Sequence, residues 1–210
     1  MTLLGTGDRT GARTAFQAAK AADKGFVPAD LALAQVDAAE GKLADAKTRL
    51  TSVANADSSN IMAQAWLGNV EELQGDHNAA IKHFRKVLEL RPGDSQASNN
   101  LAYLLIEYRN EVDEALKYAQ KAVELAPDRP AYLDTLGWAF YHKRQYPTAI
   151  RYLERASASN QSAAWKYHLA MAYAKAGDLK RGRATLAAAL KQNPKAREAK
   201  AAQDVVELSK

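Results

Sequence analysis

The sequence predicts an all-α fold, a solenoid of helix–turn–helix repeats, on three observations. A period of 34 residues runs along the chain. Within each period the apolar residues recur at helical spacing. The composition also favours helix: 44 of 210 residues are Ala, against 11 Gly and 6 Pro, and Ala has the highest helix propensity, Gly and Pro the lowest.

The period is read from matched positions. Gly7–Asp8, Ala12 and Phe16 find counterparts 34 residues on in Gly41–Lys42, Ala46 and Leu50, and Gly75, Ala80 and Phe84 continue the step. Leu33–Ala34, Leu67–Gly68, Leu101–Ala102, Leu136–Gly137 and Leu169–Ala170 form a second series with steps of 34, 34, 35 and 33. The extra residue falls around Tyr108–Glu111, placed in a turn between helices, where insertion costs little chain entropy. Pro92, Pro127 and Pro194 close three units, with Ser58 and Gln161 at the equivalent places. Proline stops a helix and restricts the residue before it.

Taken in order, residues 1–26 hold the second helix of a truncated unit, about Asp8–Ala22. Five full units follow at 27–60, 61–94, 95–129, 130–162 and 163–194. Residues 195–210 carry a capping helix, Lys195–Leu208, whose outward side holds Lys195, Arg197, Lys200, Gln203 and Asp204. In the fourth unit Leu133, Leu136, Gly137, Phe140 and Tyr141 make the first apolar stripe, and Ala149, Ile150, Leu153 and Ala156 the second. Small residues at the eighth position (Ala34, Gly68, Ala102, Gly137, Ala170) face small residues of the second helix (Ala46, Ala80, Ala115, Ala149, Gly182), so the paired helices can approach closely. The leading half-unit lacks a partner and leaves Ala15, Phe16 and Ala19 uncovered. The expectation is that the chain is a piece of a longer array whose upstream part has been removed.

Composition excludes several function classes. With no Cys there is no disulfide scaffold, cysteine-ligated metal or thiol catalysis. No apolar run is long enough for a membrane-spanning helix. The net charge of +5 is interleaved with acids on helix faces, which argues against nucleic-acid binding. His77, His83, His142 and His168 form no close ligand spacing, and His77 and His83 are placed on a solvated second helix. Gly5–Thr6–Gly7 lacks the lysine of a phosphate loop. The sequence therefore predicts no catalytic centre, no metal and no cofactor.

The period, the small residues and the closing prolines resemble the tetratricopeptide repeat, over nearly the whole chain. The resemblance implies a right-handed superhelical solenoid with a concave face lined by positions 2, 5, 6, 9, 12 and 13 of each first helix, binding a protein or peptide partner. Carried onto this sequence, the positions give Met62, Trp66 and Asn69 in the second unit and Gln96, Asn99, Asn100 and Tyr103 in the third. The fourth contributes Asp134, Thr135, Trp138, Tyr141 and His142, and the fifth Tyr167, His168, Met171 and Lys175. Aromatic side chains dominate binding hot spots, and Asn can pair with an extended backbone through donor and acceptor together. The carboxylate clamp of chaperone-binding members keeps its asparagines here as Asn69 and Asn100. Its cationic places hold Ala65, Ala131 and Thr135, so a terminal carboxylate would lose its charge-assisted bonds.

A narrower likeness joins Asn99–Tyr103, Glu114–Leu116, Ala126–Asp128, Leu133–Trp138, Tyr167–Ala170 and Arg197–Ala199. This stretch resembles the C-terminal part of bacterial repeat lipoproteins that accompany the PEP-CTERM/exosortase sorting system and exopolysaccharide clusters. The resemblance implies a periplasmic or outer-membrane-associated scaffold tethered upstream, with a cytoplasmic protein as the alternative. Two other uses remain open at this level. The uncovered edge near Phe16 could drive self-assembly into homo-oligomers. The basic last unit (Lys175, Lys180, Arg181, Arg183, Lys191) could touch an anionic polymer such as a polysaccharide.

Overall fold

The computed structural model describes residues 9–158 and 162–209. Among them are twelve α-helices and no strand. Gln161 and the segment before Arg9, which holds Gly5–Thr6–Gly7, lie outside the described residues.

The chain divides into two compact units at Ala97/Ser98, within one helix. The first holds α1 (Arg9–Ala22), α2 (Val27–Ala39), α3 (Leu43–Ala56), α4 (Ile61–Leu73), α5 (His77–Leu90) and the start of α6 (Ser95–Leu104). From α1 to α5, each helix packs on its predecessor in antiparallel hairpins. Leu31, Ala34, Ala46, Leu50, Val53, Ala63, Leu67 and Val70 form the core there. Asn60, Asp76 and Asp94 cap their helices by accepting the amides of Ala63, Ala79 and Ala97 at 3.0, 3.1 and 2.9 Å. The leading half-unit is tied down by charge: Arg13 of α1 donates to Asp37 (2.7 Å) and Glu40 (3.0 Å) of α2. Ala15 is exposed, while Phe16 and Ala19 are half-buried.

The second unit holds the rest of α6, a π-helical turn (Leu105–Arg109), α7 (Val112–Leu125), α8 (Pro130–His142), α9 (Tyr146–Ser157), α10 (Ala163–Lys175), α11 (Leu179–Gln192) and α12 (Ala199–Leu208). α8 pairs with α9 and α10 with α11, and α12 packs on α10 and α11. Burial of Ala149, Leu153, Leu169, Ala172 and Tyr173 joins the two hairpins. The close approach expected at the small residues is present. A Cβ on Gly137 would lie 2.7 Å from Leu153 Cγ, and one on Gly68 2.9 Å from the Phe84 ring.

Two expectations need correction. The extra residue is not taken up in the interhelical turn alone. It widens the last turn of the first helix to π geometry, closed by the Asn110 amide on the Leu105 carbonyl, which the Glu111 amide also reaches at 3.1 Å, with Asn110 left-handed at φ 54°. π turns of this kind absorb an inserted residue while keeping the helix continuous. The last helix begins at Ala199 and not at Lys195, because residues 194–198 run through two turns.

The hairpin turns share one backbone requirement. Gly41, Gly75 and Gly177 take φ of 77°, 81° and 87° at the fifteenth place of their units. In the fourth unit that place belongs to Arg144, at φ 59°. Left-handed backbone costs a residue with a Cβ about 1–2 kcal/mol.

Candidate functional site, the inner faces of the first helices

In the first unit, Ala34, Gln35 and Ala38 of α2 and Trp66, Asn69, Val70 and Leu73 of α4 line a cleft of about 220 Å³, with Leu50 beneath. Trp66 and Asn69 are half-buried and Leu73 is 68% exposed. Leu73 stands at the thirteenth place of its helix, one of the concave positions, and the sequence reading did not single it out. His83 departs from the solvated place expected for it. It turns inward, with Nδ1 2.6 Å from Gln64 Oε1 and Nε2 3.4 Å from the buried Glu71. Burial lowers its pKa despite the Glu71 charge.

In the second unit the expected residues separate into two layers. Tyr103, Tyr141 and Asn100 are half-buried and His142 is exposed, whereas Asn99, Asp134, Thr135, Trp138, Tyr167, His168 and Met171 are buried. Lower in that face, His168 Nδ1 sits 3.0 Å from both Asp134 oxygens. Burial opposes its charge most strongly, but the Asp134 carboxylate, together with the charges of Glu198 and Glu107, raises the His168 pKa. The Trp138 ring lies flat on His168 (centroids 4.1 Å apart) and on Tyr141 (4.5 Å), with His142 edge-on at 4.6 Å. Offset stacks of this kind add about 0.5–1.5 kcal/mol beyond burial. Loss of water on the side of its ring that meets Trp138 lowers the His142 pKa, and burial pushes Tyr141 up to about 12. Thr135 donates to its own helix at the Ala131 carbonyl (3.1 Å), and Tyr167 donates to the Asn193 carbonyl (2.7 Å). Asn99 keeps a buried Oδ1 without a hydrogen-bond partner.

Above this layer stand three residues that the sequence reading missed. Trp138 Nε1 donates to Glu107 Oε1 at 2.7 Å, and Glu107 Oε2 receives Arg197 at 2.5 Å. Arg197 also donates to the hydroxyls of Tyr103 (2.7 Å) and Tyr108 (2.8 Å), its guanidinium carbon 5.8 and 6.0 Å from their ring centres. Arg197 therefore does not belong to the outward polar side of the cap. The turns at 194–198 carry it inward, and the π turn carries Glu107 and Tyr108 toward it. Glu107 sits at the thirteenth place of its helix, so the concave positions already contained the signal. Tyr108 and Arg197 had none, since both depend on turns that no period encodes.

The basic last unit is less free than its sequence suggests. Arg181 is held by Asp178 (2.5 Å) and Glu154 (3.5 Å) and lies 4.4 Å from the Tyr173 ring centre. No helix among the described residues is long and apolar enough to cross a membrane.

Comparison with known proteins places this architecture. Two models of the tetratricopeptide repeat match, one over residues 73–138 and 141–204, the other over 31–95. The TPR repeat-containing protein PA4667 of Pseudomonas aeruginosa is 37% identical over 75 residues, 36% of this chain and 13% of the relative. The human protein O-mannosyl-transferase TMTC1 is 27% identical over 129 residues, 60% of this chain and 15% of the relative. The chain thus spans less than a sixth of either. Among solved structures, a chain of the APC/C hetero-tetramer Cut9–Hcn1 superposes with a TM-score of 0.81 at 20% identity, covering 99% of this chain and 41% of that one. PilF of Pseudomonas aeruginosa gives 0.79 at 19% identity over 96% and 91% of the two chains. YrrB, described as a TPR protein with an unusual peptide-binding site, gives 0.69 at 20% identity over 90% and 98%. At such identities the likeness is one of fold. With hairpins, small-residue contacts and family models in agreement, the chain belongs to the tetratricopeptide repeat family, an all-α solenoid of helix–turn–helix repeats that serves as a scaffold for protein interaction.

Proposed function

We propose that this chain is a non-catalytic scaffold that binds a peptide segment of a protein partner along the inner faces of its first helices. The observation that carries the reading is the cleft between α2 and α4, where Trp66 and Leu73 leave apolar surface accessible beside the Asn69 amide. Aromatic surface flanked by amide donors and acceptors suits an extended peptide, which needs both apolar anchorage and backbone hydrogen bonds. Helices already packed in hairpins cost little to order on binding, so more of the contact energy remains for affinity.

Selection from a displayed random-peptide library supplies the test. Peptides recovered on the purified chain are expected to lose at least tenfold in affinity when Trp66 or Leu73 is changed to Ala, with an unchanged helical circular dichroism spectrum. Equal affinity for both variants would refute the groove.

The biological setting is a separate proposal. We place the chain in an exported bacterial envelope assembly, of the kind that accompanies exopolysaccharide production and PEP-CTERM sorting. Its support is the run through Asn99–Tyr103, Leu133–Trp138 and Tyr167–Ala170. Fractionation of cells carrying the full reading frame tests it: a membrane-anchored periplasmic pool is expected, and a cytoplasmic one would overturn it.

A further inference from the structure

We propose that Tyr103, Glu107 and Tyr108 form a subsite for an arginine side chain of the bound peptide, and that Arg197 of the chain's own C-terminal turn occupies it in the peptide's absence. The inference rests on the groove reading above and names the chemistry of one of its positions.

The argument starts from what a guanidinium needs. It is planar, permanently charged and presents donors in a fixed fork, so a matching site supplies a carboxylate, further oxygen acceptors and aromatic faces. All three converge here. Glu107 Oε2 and the hydroxyls of Tyr103 and Tyr108 receive the two terminal nitrogens of Arg197 at 2.5–2.8 Å. Both tyrosine rings lie within 6.0 Å of its central carbon, inside the range of cation–π attraction. Glu107 is itself pinned by the Trp138 indole, so the acceptor is oriented whether or not an arginine is present. That is the geometry of a prepared site.

The present occupant is displaceable. Arg197 is half exposed and sits in turns outside any helix. Its side chain can therefore swing out without unwinding α12, which is anchored separately by the buried Ala199, Ala202 and Val206. An ion pair whose cation stands half in water holds weakly, because solvent screens it and the long side chain gives up rotamer freedom to keep it. By its small cost of release, the contact suits exchange with an arginine delivered by a partner.

The test uses the whole chain and the peptide acetyl-Gly-Arg-Gly-amide, followed through the Trp138 indole N–H resonance. In Arg197→Ala the vacated site is expected to give a saturable shift, with affinity at least tenfold above that of the unaltered chain. The lysine counterpart should bind more weakly, and Glu107→Gln added to Arg197→Ala should abolish the response. An Arg197→Ala chain that keeps its helical spectrum yet shows no saturable shift would overturn the subsite. Library-selected peptides that still depend on Trp66 would, in that event, leave the groove standing. A wild-type chain that is a dimer and turns monomeric on Arg197→Ala would assign the arginine to a second copy and also overturn the proposal.

Discussion

Replacing Gly137 by Ala is the sharpest test of the close helix approach. The new Cβ would meet Leu153 Cγ at 2.7 Å, Leu153 Cδ2 at 3.0 Å and the Ala149 carbonyl oxygen at 3.2 Å. Leu153 is fully buried, and Cγ is its branch atom, so relief requires the whole side chain to move into occupied space. The carbonyl belongs to the facing helix and yields only if α8 and α9 separate. Overpacking of this sort costs about 1–3 kcal/mol, while exchanging Gly for Ala inside a helix returns about 1 kcal/mol. A net loss of up to about 2 kcal/mol is expected, which lowers the melting temperature by roughly 2–4 °C per kcal/mol in a chain of this size. The assay is urea and thermal unfolding followed by circular dichroism. Gly182→Ala is the control: its nearest contacts are backbone atoms at 3.3 Å, so gain and loss should nearly cancel. In a double-mutant cycle, most of the Gly137→Ala penalty should vanish once Leu153 is shortened to Ala. Gly137→Ala melting at or above the wild-type temperature would refute the reasoning, as would a penalty unchanged by Leu153→Ala.

Three further outcomes follow from named contacts. Arg144→Gly should raise stability by up to about 1 kcal/mol, because it removes the left-handed cost at φ 59° while giving back part of it as backbone entropy; an unchanged urea midpoint would contradict this. The raised His168 pKa makes its pairing with Asp134 a stabilising contribution that is complete below the unfolded value, near 6.5, and fades as pH climbs through the higher folded value. The stability gap between wild type and His168→Gln should accordingly be wider at pH 6 than at pH 9, as measured by urea unfolding at both. Tyr167→Phe deletes the bond to the Asn193 carbonyl, worth about 0.5–1.5 kcal/mol, and should speed amide exchange locally across residues 193–198.

How much of this was legible in the sequence depends on the kind of contact. The hairpins were readable because the units repeat their own demands: a small residue at the eighth place, apolar neighbours one turn apart, a proline closing three of the units. α2, α4, α6, α8 and α10 begin at Val27, Ile61, Ser95, Pro130 and Ala163. Trp138 and His168 could be placed on the inner side by position. Their mutual stacking and the Asp134 pairing could not, since those depend on how adjacent hairpins are offset. Arg197 was misassigned for a plain reason: helical spacing from Lys195 puts it outward, and only the two turns at 194–198 reverse it. His83 looked like a solvated residue until α4 supplied Gln64 and Glu71 opposite it.

Repeat chains are usually tethered neighbour to neighbour, and their ends can be trimmed with only local consequences. The bond from Arg197 to Tyr103 joins residues 94 positions apart, so the carboxyl-terminal turn reports directly on the third unit. Cutting the chain before Pro194 should uncover the last hairpin and also empty the place beside Tyr103, so that a change at the carboxyl end is registered at α6.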